Sequence, residues 1–129
     1  MLDHFGFSVT DMSKSLPFYE ACLEPLGIRV TERQPQFDAV IFTRDGIDFP
    51  FFWMGASHAS WWKDNHEAGR SPIHFAFPAP SREAVEAFHQ AGLANGGVDQ
   101  GAPGERPGGW YAAYLLDPDG NNVEAGVRE

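Results

Sequence analysis

From Leu2 to Val9 the chain alternates. Phe5, Phe7 and Val9 fall on one side and His4, Gly6 and Ser8 on the other, which is the period of a half-buried strand. The next segment changes period: Phe18, Tyr19, Cys22, Leu23 and Leu26 form one apolar stripe at helical spacing. Asp11 or Ser13 is placed to cap that helix, and Gly27 to stop it. Pro17 belongs in its first turn or at an irregularity there, because an interior proline costs about 3 kcal/mol. Ile28–Thr31, Asp38–Thr43 and Ile47–Met54 then read as three strands, with Arg44-Asp45-Gly46 as a tight hairpin turn.

The second half repeats this order. His4 pairs with His74, Phe5 with Phe75, Phe7 with Phe77, Phe18 with Phe88, Ala21 with Ala91, Leu23 with Leu93 and Gly27 with Gly97, each pair 70 positions apart. A recurrence of strand, helix and stop at one offset marks a duplication. Ile73–Phe77 is the strand, and Ser81 caps a helix whose stripe includes Val85, Phe88 and Leu93. Gly96-Gly97 ends it; a Gly/Pro-rich loop, Gly101–Gly109, leads to a strand at Trp110–Leu116. Asp117-Pro118-Asp119-Gly120 is a strong turn signal before a closing strand at Asn122–Val127. The expectation is an α+β fold of two βαβββ modules, about 1–55 and 72–129, whose helices cover one sheet face and leave the other free as a cleft. The linker 56–71 is polar but holds Trp61 and Trp62.

Composition narrows the class. At 129 residues and 43% hydrophobic the chain is sized for one domain or two very small halves sharing a core. Its 18 acidic against 9 Lys and Arg residues argue against a phosphate-backbone binder, so no nucleic-acid partner is expected. Cys22 stands alone, which excludes an intrachain disulfide framework. No stretch has the roughly 18–20 apolar residues a membrane span needs. Met1-Leu-Asp-His shows no basic-then-apolar leader, and a cytoplasmic protein is the expectation.

The candidate chemistry is His4, His74 and Glu124. Each sits opposite the bulky face of its strand and beside small residues, with Glu124 sharing a side with Asn122 and Gly126. Two imidazoles and a carboxylate suit a divalent metal with open positions, although a strand-borne His is also a common structural hydrogen-bonding residue. Phe49, Phe51, Trp53, Trp110 and Tyr114 are candidates for pocket walls as well as for ordinary packing. Arg106 has the planar fork that holds a carboxylate or phosphate. His58, His66 and His89 have no placed partners, and Cys22 reads as a small buried hydrophobe.

His4-Phe-Gly-Phe-Ser-Val-Thr-Asp, Ser15-Leu-Pro-Phe-Tyr, Leu26-Gly27, His74-Phe-Ala-Phe and Asp117-Pro-Asp-Gly-Asn-Asn-Val-Glu124 together resemble the vicinal oxygen chelate superfamily. That superfamily includes glyoxalase I, extradiol dioxygenases, methylmalonyl-CoA epimerase, fosfomycin resistance enzymes and bleomycin-binding proteins. The resemblance spans nearly the whole chain. It implies paired βαβββ modules curving around a cleft that a homodimer commonly completes. It also matches His4, His74 and Glu124 to the metal-binding residues of the enzymatic members, with Glu124 catalytic as well.

One departure stands out. Glyoxalase I-like members take a further carboxylate from the last strand of the first module, which here reads Ile47-Asp-Phe-Pro-Phe-Phe-Trp-Met54, with Phe or Trp at the counterpart positions. The leading expectation is therefore a glyoxalase-like lyase or isomerase with a three-ligand site for Zn, Fe, Mn, Ni or Co. An extradiol-type dioxygenase and a metal-free, bleomycin-type binder of small molecules are the alternatives. The metal reading requires the three side chains to converge, with neither Phe51 nor Trp53 filling the site.

Overall fold

The first strand, β1 (His4–Ser8), leads through the Asp11 cap into α1 (Met12–Leu23). A computed structural model describes residues 1–57, 67–70 and 72–129. Strands β2 (Ile28–Gln34), β3 (Ala39–Arg44) and β4 (Phe51–Gly55) follow, and the order β1-β4-β3-β2 makes one sheet in which only the β1–β4 pair is parallel. The second half repeats the plan with β5 (His74–Pro78), α2 (Arg82–Ala94), β6 (Val98–Arg106), β7 (Trp110–Leu116) and β8 (Asn122–Arg128), in the order β5-β8-β7-β6. The architecture is α+β, two open four-stranded mixed sheets each with its own helix. No helix among the described residues is long and apolar enough to cross a membrane. The linker tryptophans Trp61 and Trp62, with His58 and His66, lie outside the described residues.

The apolar faces of both halves meet in one core. Phe18, Tyr19, Phe42, Phe52 and Met54 from the first half share a buried cluster with Phe77, Val85, Phe88, Leu115 and Val123 from the second. Aromatic contacts cross the junction, Phe5 to Phe75 at 5.6 Å and Phe52 to Phe77 at 5.6 Å between ring centroids. Each fully buried Phe contributes about 2–3 kcal/mol of transfer free energy.

Four expectations are corrected. Pro17 lies well inside α1, which begins at Met12. The proline removes only the bond to the Ser13 carbonyl, and both residues are exposed, so water can satisfy that group. Leu93 does not repeat Leu23: it is 42% exposed where Leu23 is fully buried, although each lies five residues beyond its helix's buried Phe. Gly92 takes the inner place, where an added Cβ would lie 2.2 Å from Leu115 Cδ1, so the glycine sets how closely α2 approaches the sheet. Most of the expected loop Gly101–Gly109 is strand. β6 pairs with β7 through two register shifts, at Asp99/Gly101 and Gly101/Gly104, and these bulges let a Gly- and Pro-rich segment remain in the ladder. Finally, Ile47–Pro50 stays outside the sheet, and β4 starts only at Phe51.

A buried polar knot locks the halves together. Asp117, 3% exposed, accepts from Tyr19 Oη at 2.5 Å and Asn121 Nδ2 at 2.9 Å on one oxygen. Its other oxygen accepts from the backbone N–H groups of Asp119 and Asn121. Burial and the Asp117 charge push the Tyr19 phenol well above its ordinary value. Thr10 N adds a second bond across the halves, to Asp119 Oδ2 at 2.9 Å. Asp117→Ala leaves these buried donors unpaired and is expected to cost about 3 kcal/mol or more, read from chemical denaturation; a loss below about 1 kcal/mol would show that the knot is dispensable.

α2 is tied to β6 by His89 Nε2 and Asp99 Oδ1, 2.9 Å apart. The hydrogen bond from His89, then that from Gly101 N, holds the Asp99 carboxyl below its usual range. A depressed carboxyl stabilises above its unfolded pKa, about 3.9, and that share is lost as pH falls through the lower folded value. Asp99→Asn is therefore expected to melt earlier than the parent at neutral pH, with the two melting curves converging below about pH 3. A constant gap down to that pH would refute the assignment.

Candidate active site

Strand pairing dictates which side chains share a face. β8 lies between β5 and β7, with Ala76 opposite Glu124 on one side and Tyr114 opposite it on the other. His74 pairs with Asn122, two residues before Glu124, and so occupies the same face as the carboxylate. His74 Nε2 lies 3.3 Å from Glu124 Oε2, the imidazole being 55% exposed and the carboxylate 8%. The other ring nitrogen, Nδ1, is 3.1 Å from Asn122 Oδ1. Both ring nitrogens thus face an oxygen acceptor; a metal at Nε2 would put the proton on Nδ1, toward Asn122.

Two aromatic residues flank the carboxylate. Trp110 Nε1 donates to Glu124 Oε1, and Tyr114 stands opposite Glu124 on the neighbouring strand. Burial, followed by the nearby Glu124 carboxylate, raises the Tyr114 phenol above its ordinary value. Glycines make room for both rings: a Cβ at Gly126 would lie 2.2 Å from Trp110 Cζ2, and one at Gly101 would lie 2.9 Å from Tyr114 Cδ2. Arg106 stacks on Tyr114 with its guanidinium carbon 5.4 Å from the ring centroid. His74, Glu124, Trp110, Tyr114 and Arg106 therefore share one side of the second sheet.

The other expected site residues gather on the first sheet. His4 pairs with Phe51, stacks on its ring at 4.7 Å with an interplanar angle of 2°, and places Nδ1 2.6 Å from Asp3 Oδ1. The Asp3 oxygen takes the Nδ1 proton and leaves Nε2 free. Trp53 pairs with Gly6 as Glu124 pairs with Ala76, so it stands at the counterpart of the carboxylate, where its indole donates to Gln34 at 3.1 Å. Among the described residues no group of three or more His, Cys, Asp or Glu side chains gathers as a metal site. His74 and Glu124 come together within the chain, and His4 does not join them.

The His74–Glu124 pair fits two ligands of one divalent ion. Tetrahedral neighbours at about 2.0–2.2 Å from a metal lie roughly 3.4 Å apart, against the 3.3 Å found here. A cavity of about 330 Å³ lies elsewhere, between β1, β4 and β5 on the apolar side. Phe51 helps line it, whereas His4, Trp53, His74 and Glu124 do not.

Two features escaped the sequence reading. The sequence places Asn122 on the Glu124 side of the closing strand but not its contact with His74, which depends on the β5–β8 register. Arg128, whose guanidinium carbon stands 4.4 Å above the Trp110 ring, sits beside the site only because β7 and β8 pair Trp110 with Arg128.

The fold agrees with the comparisons. The family model of the Glyoxalase/Bleomycin resistance protein/Dioxygenase superfamily matches residues 1–125, and the chain belongs to that superfamily. A glyoxalase/bleomycin resistance protein from Albidiferax ferrireducens T118 is 31% identical with a TM-score of 0.77, over 100% of this chain and 99% of that one. The fold is shared with a glyoxalase-related enzyme from Fulvimarina pelagi (17% identity, TM-score 0.70, 99% and 88% of the chains). Lactoylglutathione lyase from Agrobacterium tumefaciens also shares it (20% identity, TM-score 0.66, 98% and 92%). None of the functionally curated proteins matches the sequence.

Gly126→Ala tests the cradle under Trp110. The added methyl collides with the indole, so the ring has to leave Glu124, at an expected cost of about 1–3 kcal/mol. A changed near-ultraviolet circular dichroism spectrum with an unchanged far-ultraviolet one is the expected signature. Identical spectra in both regions would show that the ring needs no glycine.

Proposed function

We propose that this protein is a divalent-metal-dependent enzyme of the glyoxalase-like lyase or isomerase type, acting on a small substrate with neighbouring oxygens. The observation that carries the proposal is the His74–Glu124 pair, 3.3 Å apart, with the carboxylate buried. His74 and Glu124 hold the metal from the second sheet, and His4 of a second protomer supplies the third ligand in a homodimer. A divalent ion held there would supply Lewis-acid polarisation of a substrate oxygen, and Glu124 would take the proton released from the adjacent carbon. Asn122 keeps the His74 ring in the ligating tautomer. Trp110 fixes the rotamer of Glu124, so that one oxygen stays directed toward His74. Trp53 stands where a further carboxylate would serve as a second base, which favours chemistry that needs only one protein carboxylate.

Metal titration provides the test. His74→Ala and Glu124→Gln are expected to abolish stoichiometric uptake of Zn, Mn, Ni, Co or Fe(II), and Asn122→Ala to weaken it about 10–100-fold. Mixing His4→Ala with His74→Ala chains is expected to restore about a quarter of the wild-type sites, because half the mixed pairs' sites combine two intact contributions. No restoration would place the site within one chain, and metal binding undiminished in His74→Ala would end the metal reading. Turnover of the methylglyoxal–glutathione adduct against ring cleavage of catechols separates the lyase from the dioxygenase.

One observation favours a second reading, a metal-free binder of small molecules: a single chain gathers only two of the three ligands. In that case ligand-induced stabilisation survives chelation and the His74→Ala substitution.

A further inference from the structure

Basic side chains are scarce in this chain, 9 against 18 acids. Arg29, Arg33, Arg70 and Arg82 are each paired with carboxylates. Arg106 and Arg128 have no carboxylate partner among the described residues, and both belong to the face that carries Glu124. They occupy one row of the sheet, where Arg106 pairs with Trp110 and Trp110 with Arg128. Each guanidinium stacks on a ring beside Glu124: Arg128 at 4.4 Å on Trp110, whose indole donates to the carboxylate, and Arg106 at 5.4 Å on Tyr114, which pairs with Glu124 across the strands.

This arrangement separates charges that would otherwise neutralise each other. The Trp110 indole donates to Glu124 and carries the Arg128 guanidinium on its face, and neither arginine pairs with the carboxylate. Arg106 spends one hydrogen on Glu105 O at 3.1 Å and one on Ala102 O at 2.7 Å. A guanidinium carries five, so three remain. Gly104 leaves the space in which this head lies: a Cβ there would stand 3.1 Å from Arg106 Nη1.

We infer that the substrate is an organic carboxylate, its charged end held by Arg106 and Arg128 and its neighbouring-oxygen end turned toward His74 and Glu124. The aromatic rings between the two ends favour an aryl or other flat apolar body. Arg is suited to the task because its planar fork meets a carboxylate with two parallel bonds. The direction assigned to the substrate rests on the proposed function; the carboxylate preference itself rests on the two arginines alone.

The test uses 3,4-dihydroxybenzoate and 3,4-dihydroxybenzamide, which share a flat ring and a vicinal oxygen pair at one end and differ in charge at the other. The protein is stripped of metal, desalted and titrated with each by calorimetry. The carboxylate is expected to bind at least about tenfold tighter at low salt, with the advantage shrinking as salt screens it. In the Arg106→Ala/Arg128→Ala protein the two compounds are expected to bind equally; should that protein fail to fold, Arg106→Gln and Arg128→Gln are each expected to reduce the difference. Equal affinities in the wild type, no saturable binding of either compound, or a preference kept in the folded variants would overturn the inference. Because this titration omits metal, loss of the metal reading with the carboxylate preference intact would overturn only the proposed function.

Discussion

The burial of both sheets' phenylalanine faces in one core is the constraint on which everything else depends. Side chains alternate along a strand, so committing Phe5, Phe75 and Val123 inward turns His4, His74 and Glu124 outward. A register slip of one residue would put ionisable groups into the core and aromatic rings into water. The apolar packing that stabilises the fold thus also places the reactive groups on the opposite faces. On those faces Gly126 makes room for the Trp110 ring and Gly6 for Trp53.

The two halves share a plan and differ in chemistry. Where the second sheet carries Glu124 on its central strand, the first carries Trp53, and where Asn122 orients His74, Phe51 stacks on His4. Duplication preserved the scaffold because both copies contribute to the same core, whereas the outward faces were free to diverge. The second face became a polar centre walled by aromatics, and the first an aromatic surface with one histidine. The Asp117 knot, reaching from the β7–β8 turn to Tyr19 in the opposite half, keeps the copies together although no backbone ladder joins their sheets.

Within the second face, electrostatics are arranged by intervening rings more than by ion pairs. Glu124 is buried without an arginine partner, and its carboxylate meets the Trp110 indole and the His74 imidazole. The superfamily supplies the fold on which such sites are built; the particular donors around Glu124 belong to this chain.

The sequence alone determined the βαβββ repeat and the outward placement of His4, His74 and Glu124, because both follow from local periodicity and from a duplication visible at a constant offset. It left Asp48, near the start, as the only acid on the expected last strand of the first half, and the structure puts Asp48 outside β4, which begins at Phe51. The bulged strand β6 was not legible, because Gly and Pro lower strand propensity and only pairing with β7 overrides them. Leu93 was misplaced because it lies as far beyond Phe88 as the buried Leu23 lies beyond Phe18, and only packing gives Gly92 the inner position. Which ligands meet was decided by tertiary structure alone. The parallel register of β5 with β8 brings His74, 50 positions before Glu124 in the chain, to the carboxylate, while His4 stays with Phe51. The same holds for Asn122 and Arg128, whose partners lie on neighbouring strands: contact between strands depends on register, and register is set by the whole core.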